Sequence, residues 1–275
     1  MNVTLKTTLA ALPLFLGYAF ASAQTVLISD TFTRSGALNG SAPNTTVGGA
    51  NWVALAGTNT NGTALSLPTT STQTATIDLG TNYFSSNPGV YTLSMDVTLP
   101  SGSTTNWAAM GFVINPSTNG TLATTTSAAA LNSNGGPNGG SPFMLLRQNG
   151  LTNVYRGGGT NSPLLTNAGT FVSGVSYNLK LVLDTSVTNW TLDSFVGSTQ
   201  LDLNGAGVGS TAIFSTNPAA LRYVALSTAG GGFGNVIIDN FNLSVAAIPE
   251  PATASLALSA AAMLGAACIR RRRQS

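Results

Sequence analysis

The chain has 275 residues, of which 43% are hydrophobic and only 7% charged, with one cysteine and no histidine. That length can bury a sizeable core, but so few cations argue against a nucleic-acid partner, since neutralising phosphates takes clustered Lys and Arg. The net charge of +2 overstates even this: Lys6, Arg270, Arg271, Arg272 and Arg273 sit in the terminal segments, leaving Arg34, Arg147, Arg156, Lys180 and Arg222 against seven aspartates in between.

At the N-terminus Lys6 precedes an apolar run over residues 9–20, closed by Ala21-Ser22-Ala23. A short cationic region, an apolar core and a small-residue site form the pattern of a secretory signal peptide. Residues 1–23 are therefore read as a signal removed by signal peptidase, with cleavage between Ala23 and Gln24. The single cysteine, Cys268, lies in the apolar tail, so the exported part has no disulfide to rely on.

Residues 24–247 read as one ectodomain. Tyr91, Leu93, Met95, Val97 and Leu99 alternate with Thr92, Ser94, Asp96 and Thr98, the period-two pattern of a strand with one apolar face. Tyr177, Leu179, Leu181 and Leu183 alternate in the same way with Asn178, Lys180 and Asp184. Further strands are expected at 25–32, 51–56, 73–79, 107–114, 142–148, 152–156, 187–196, 221–227 and 236–245. Between them stand Asn-Gly pairs beginning at Asn39, Asn61, Asn119, Asn149 and Asn204, a pairing suited to tight turns that need positive φ. Many short strands with such turns and no amphipathic helix predict an all-β, antiparallel β-sandwich of jelly-roll type. Residues 116–141 are Thr, Ser, Ala, Asn and Gly with almost no large apolar side chain. They read as a flexible insertion or long surface loop, because they bury too little to offset their ordering entropy.

The residue inventory limits the chemistry. Between residues 24 and 248 there is no His, Cys or Glu, which removes Ser-His-Asp and Cys-His nucleophiles, His-based metal sites and a Glu glycosidase pair. Two aspartates can hydrolyse a glycoside in principle, but the seven are scattered along the sequence, and the expectation is a protein that is not an enzyme. Asp30 is in phase with Val26, Ile28 and Phe32, and Asp239 with Ile237, Phe241 and Leu243. Strict alternation turns both inward, where an unpaired carboxylate is costly. Either a bulge or strand end turns them to solvent or a backbone donor, or together they hold a structural calcium through oxygen ligands. Trp52, Trp107, Trp190, Tyr155 and Tyr223 form either a sugar-stacking platform or core, and Trp190, in phase with Leu192 and Val196, favours core. Arg147 and Arg156 flank the Asn149-Gly150 turn, so a hairpin there would bring Arg147, Tyr155 and Arg156 together as a glycan-binding patch, or simply as solvated charge.

The tail carries the sharpest signal. After Ile248 come Pro249, Glu250 and Pro251, then residues 252–269 without charge or proline, then four consecutive arginines. Eighteen residues of helix span about 27 Å, close to the hydrocarbon thickness of a bilayer, and the arginines would stay on the cytoplasmic side. The Ala- and Ser-rich composition makes this a marginal transmembrane helix, suited to temporary anchoring. In order and placement these parts resemble the PEP-CTERM sorting signal of Gram-negative bacteria. The resemblance covers residues 248–275. It implies recognition and processing by an exosortase-type membrane protease, an inner-membrane-anchored precursor, and a mature protein at the cell surface or in the extracellular matrix, in a family often associated with exopolysaccharide.

A second resemblance rests on Asp30-Thr31-Phe32, Asn51-Trp52 and the segment from Ile238 to Leu243, which are similar to the terminal strands of laminin-G-like, concanavalin-type jelly rolls, many of which bind glycans. The sequence thus leads to an exported surface protein that engages extracellular polysaccharide without catalysis. The alternatives are a purely structural surface component and a glycan hydrolase or lyase.

Overall fold

A computed structural model describes residues 24–68, 73–101, 106–114, 141–156, 165–168, 171–205, 211–229 and 234–246. The expected signal segment 1–23, the expected insertion up to residue 140, the Asn119-Gly120 pair and the sorting tail, including the expected transmembrane helix, lie outside these residues. Among the described residues no helix is long and apolar enough to cross a membrane.

In chain order the strands are β1 (Gln24–Asp30), β2 (Ser35–Ala37), β3 (Thr45–Thr46), β4 (Val53–Ala54), β5 (Asn59–Asn61), β6 (Leu65–Pro68), β7 (Gln73–Asp78), β8 (Val90–Thr98), β9 (Trp107–Val113), β10 (Phe143–Arg147), β11 (Leu151–Tyr155), β12 (Leu165–Ala168), β13 (Ser176–Asp184), β14 (Thr191–Val196), β15 (Thr199–Gln200), β16 (Ala212–Ile213), β17 (Tyr223–Ala229) and β18 (Asn235–Ala246). One short helix, α1 (Tyr83–Ser86), joins β7 to β8. The first sheet runs β15-β14-β13-β8-β18-β6-β5-β2, with β1 and β16 pairing on β18 and β14, and β3 on β1; the second runs β12-β11-β10-β9-β17-β7-β4. The paired strands are antiparallel, as the alternation and turn chemistry predict.

The Asn-Gly turns behave as expected: Gly40, Gly62, Gly150 and Gly205 all have positive φ, between 72° and 92°, where a side chain would be strained. The core lies between the sheets. Leu93, Met95, Val97, Leu179, Leu181 and Leu183 of the first sheet meet Met110, Phe112, Met144, Leu146, Val224 and Leu226 of the second, all essentially without exposure. Trp52 and Trp190 also belong to this core, Trp52 with ring centroids 5.9 Å from Phe32 and 5.1 Å from Phe241.

Strict alternation fails at both terminal strands, and bulges are the reason. In β1 the register slips between Val26 and Ile28, so Val26 turns outward while Leu27 and Ile28 are both buried. In β18 it slips between Asp239 and Asn242, with Asn240 at φ 49°. The extra residue changes the phase: Val236 and Ile238 face the core, Asp239 faces outward with Ile237, and Phe241 and Leu243 return inward.

Candidate functional site

The face of the second sheet turned away from the core carries a second apolar cluster, bordered by partly exposed Tyr155, Tyr223 and Arg147. Alternation places Trp107, Ala109, Gly111 and Val113 of β9 on it, with Phe143 and Leu145 of β10 and Ala225 of β17. All of these but Gly111 form the second apolar cluster, separate from the main core. All seven residues of β9 are buried, so this strand is covered on both faces.

Gly111 makes the centre of this face possible. A Cβ there would lie 2.4 Å from the Phe143 Cβ and 2.7 Å from the Pro142 carbonyl oxygen. Glycine lets Phe143 lie across its backbone, and the Phe143 ring then stacks on Tyr155 of β11, with centroids 4.3 Å apart and planes 10° from parallel. Toward the other end of the same strands Arg147 donates through Nε to Asn153 Oδ1 at 2.9 Å. Tyr155 and Arg147 are both partly exposed, so the face offers an aromatic edge at one end and a guanidinium at the other.

The rim beyond β17 is charged. Asp78, at the end of β7, takes both Nε and a terminal nitrogen of Arg222, whose guanidinium also lies over the Tyr223 ring at 5.0 Å. Burial by itself would raise the Asp78 pKa, but the Arg222 hydrogen bond, the Gly80 N–H and the Arg222 charge outweigh it and hold this carboxyl below its usual range. The Tyr223 hydroxyl is pushed up, first by burial and then by Asp78.

The three residues expected to form a glycan patch are not brought together. The hairpin forms around Asn149-Gly150, but its register sets Tyr155 opposite Phe143, at the far end from Arg147. Arg156 follows Tyr155 beyond the strand and donates to the Ile213 carbonyl at 2.9 Å. Arg147 and Tyr155 thus share a face without touching, and Arg156 is engaged elsewhere. Of the five aromatics considered for stacking, Trp52 and Trp190 are core, Trp107 is a 6% exposed member of the second cluster, and Tyr155 and Tyr223 pack against that cluster's edge.

Asp30 and Asp239 do not fit a shared calcium, because they face opposite sides of the first sheet. Asp30 is fully buried, and its oxygens accept from Arg34 through both terminal nitrogens at 2.8 Å, from Trp52 Nε1 at 2.6 Å and from the Phe32 N–H at 2.9 Å. A guanidinium already occupies the position facing that carboxylate. Asp239 stands on the outer face directly across from Asp96, and its Oδ1 accepts from the Asn240 N–H. The sorting residues Pro249, Glu250 and Pro251, the arginines 270–273, and Ala21 and Ala23 lie outside the described residues; Gln24 opens β1, donating through Nε2 to Ser244 Oγ.

Gly111, Phe143, Asn153 and the Asp78–Arg222 pair were not singled out from the sequence. Only Gly111 carries a readable signal, an isolated glycine inside an apolar strand, which marks close backbone approach.

No curated protein sequence matches the chain. Among solved structures, an endo-1,3-beta-glucanase from Streptomyces sioyaensis is similar over 86% of this chain and 99% of its own, at 12% identity and a TM-score of 0.54. Winged bean acidic lectin, complexed with methyl-alpha-D-galactose, is similar over 82% of this chain and 99% of its own, at 11% identity and a TM-score of 0.45. The carbohydrate binding module CBM66 from Bacillus subtilis is similar over 70% of this chain and 94% of its own, at 10% identity and a TM-score of 0.39. At 12% identity the likeness to the glucanase concerns the fold alone, a jelly-roll-like antiparallel sandwich. Residues 247–273 match the PEP-CTERM protein-sorting motif, a signal that implies export, a membrane-anchored precursor and processing by an exosortase.

Proposed function

We propose that this chain is an exported surface or matrix protein of a Gram-negative bacterium whose sandwich binds extracellular polysaccharide without cleaving it. The reading rests on the border of the second sheet's outer face, where the partly exposed Tyr155, stacked on Phe143, and Arg147, held by Asn153, stand beside a buried apolar cluster. A sugar ring has an apolar C–H face and a rim of hydroxyls, and it suits an aromatic edge with nearby planar polar groups.

The similarity to a glucanase makes glycan hydrolysis the second reading. Against it, each aspartate of the sandwich already has a hydrogen-bonding role. Asp30 and Asp78 each hold an arginine. Asp184 and Asp202 accept from the turn N–H groups of Ser186 and Gly205, and Asp193 accepts from Thr211 and Gln200. Asp96 and Asp239 do stand opposite one another, but on the open face of the first sheet, where Asn178 and Asn240 donate to Asp96.

Cosedimentation of the purified full-length chain with insoluble β-1,3-glucan and with bacterial exopolysaccharide tests both readings. The expected result is retention on at least one polymer with no release of reducing ends. Release of reducing ends that disappears in Asp96→Asn would replace the binding reading with hydrolysis, and no retention on any polymer would leave the structural alternative.

A further inference from the structure

At one end of the sandwich, where β10 gives way to its turn, Gln148 continues the alternation and turns its side chain in between the sheets. Its backbone N–H donates to the Asn106 carbonyl at 2.8 Å, which fixes the residue beside β9. The side chain is only 8% exposed, and neither Oε1 nor Nε2 has a hydrogen-bond partner among the described residues. Buried amides are nearly always satisfied, because leaving both ends unpaired forfeits the hydrogen bonds that water would make. An amide with both ends open can meet a hydroxyl as donor and acceptor at once.

The amide lines a small recess of about 10 Å³, room for one water-sized group such as a hydroxyl. Leu99 and Leu146 contribute apolar surface, and Phe171 packs edge-on against Tyr177 as part of the wall, with centroids 4.8 Å apart. The Tyr177 hydroxyl accepts from the Val172 N–H at 3.0 Å, which ties the segment leading into β13 onto that wall. Val172 and Val175 also line the recess and are 61% and 46% exposed, two of the few large apolar side chains on the surface. Arg147, whose Nε is held by Asn153, is a further lining residue and links the recess to the outer face of the second sheet.

We infer that this recess is a saccharide subsite: Gln148 takes a hydroxyl or hydroxymethyl group of a neutral sugar at its amide, while the ring's C–H face covers Val172 and Val175. An amide both donates and accepts, as a sugar hydroxyl does, and exposed valines beside a sunken polar group complement a ring that is apolar on its face and polar at its edge. Among the described lining residues Arg147 is the one charged group, and its Nε is already held by Asn153, which leaves the neutral amide to meet the inserted group. The inference rests on the polysaccharide-binding reading and assigns it a second contact point.

The test uses the full-length chain in mild detergent, with cosedimentation on β-1,3-glucan and exopolysaccharide and thermal unfolding measured in parallel. Gln148→Leu removes the unpaired amide at similar volume, so its melting temperature is expected to equal or exceed that of the parent while binding weakens tenfold or more. Val175→Asp, on the exposed rim, is expected to weaken binding at unchanged stability. Parent binding that both variants retain in full removes the subsite and leaves the broader reading standing. A melting temperature lowered by several degrees in Gln148→Leu, with binding intact, shows an amide that holds structural water and overturns the inference. A parent chain that binds no polysaccharide removes both.

Discussion

Strand β8 of the first sheet and strand β9 of the second both lie mid-sheet and both send alternate side chains into the shared core. On β8 the remaining positions are partly exposed and, after Val90 at the strand's start, polar: Thr92, Ser94, Asp96 and Thr98. On β9 they are Trp107, Ala109, Gly111 and Val113, all buried. The first sheet thus follows the rule for antiparallel sheets with one wet face, whereas the second departs from it along β9 and β10. On this face the apolar and aromatic side chains are buried like those of the core, and the candidate site is confined to its partly exposed border at Tyr155 and Arg147.

Paired substitutions on the two outer faces give the largest expected contrast. Leu145, on the outer face of β10, is 1% exposed, as is Leu146 beside it on the core face. Leu145→Ala and Leu146→Ala should each cost about 2–5 kcal/mol in urea unfolding, the range for emptying a buried leucine site. Val182, on the outer face of β13, is only half-buried, and Val182→Ala should cost about 0.5 kcal/mol, as surface changes do. Equal, small losses at Leu145 and Val182 would erase the difference between the sheets. A smaller but sharper effect is expected at Gly111. Gly111→Ala drives a methyl into the Phe143 backbone and should cost about 1–3 kcal/mol through overpacking. Near-ultraviolet circular dichroism should register the disturbed Phe143–Tyr155 stack, and an unchanged spectrum with unchanged stability would show that the close approach is dispensable.

The same contrast explains what could be read in advance. Each expected stretch contains a strand, because those segments either alternate or form apolar runs, and the Asn-Gly turns between them carry their own φ requirement. The first sheet's two clearest strands, β8 and β13, were visible from Leu and Met at every second position. The short strands β2, β3, β5 and β12 were not, being made of Ser, Gly, Thr, Asn, Leu and Ala with no apolar period. They are held by the backbone ladder and by neighbours distant in sequence. Strict alternation alone could not place Asp239: of the two arrangements open to it, the bulge that turns it outward to a backbone donor is the one present, and Asn240 at positive φ leaves no mark in a hydrophobicity pattern. Asp30 was correctly placed inward, but its partner Arg34, four residues on, lies past a turn at Phe32 with φ 51° that strand reasoning does not anticipate. The outer face of the second sheet was hidden for a related reason: a strand buried on both faces shows no alternation, so nothing in 107–113 separates core side from site side.

The smallest expected effect lies at the edge of that face, where the Asp78–Arg222 pair is partly wet. Asp78 has its folded pKa held down, so the unfolded chain binds its proton more readily. The stability it contributes is therefore complete above the unfolded carboxyl value and is lost as pH falls through the lower folded value. Both side chains are 36% exposed, and an exposed pair is screened, so the contribution should be no more than about 1 kcal/mol. Urea midpoints of the parent chain and Asp78→Asn should differ by a small, constant amount near neutral pH, and the gap should narrow below roughly pH 4 as the carboxylate titrates. Added salt should narrow it as well. A gap that stayed constant down to pH 2, or that exceeded the loss at Leu145, would mean that this rim is no wetter than the centre of the sheet, and the division between a dry floor and a charged, accessible edge would have to be redrawn.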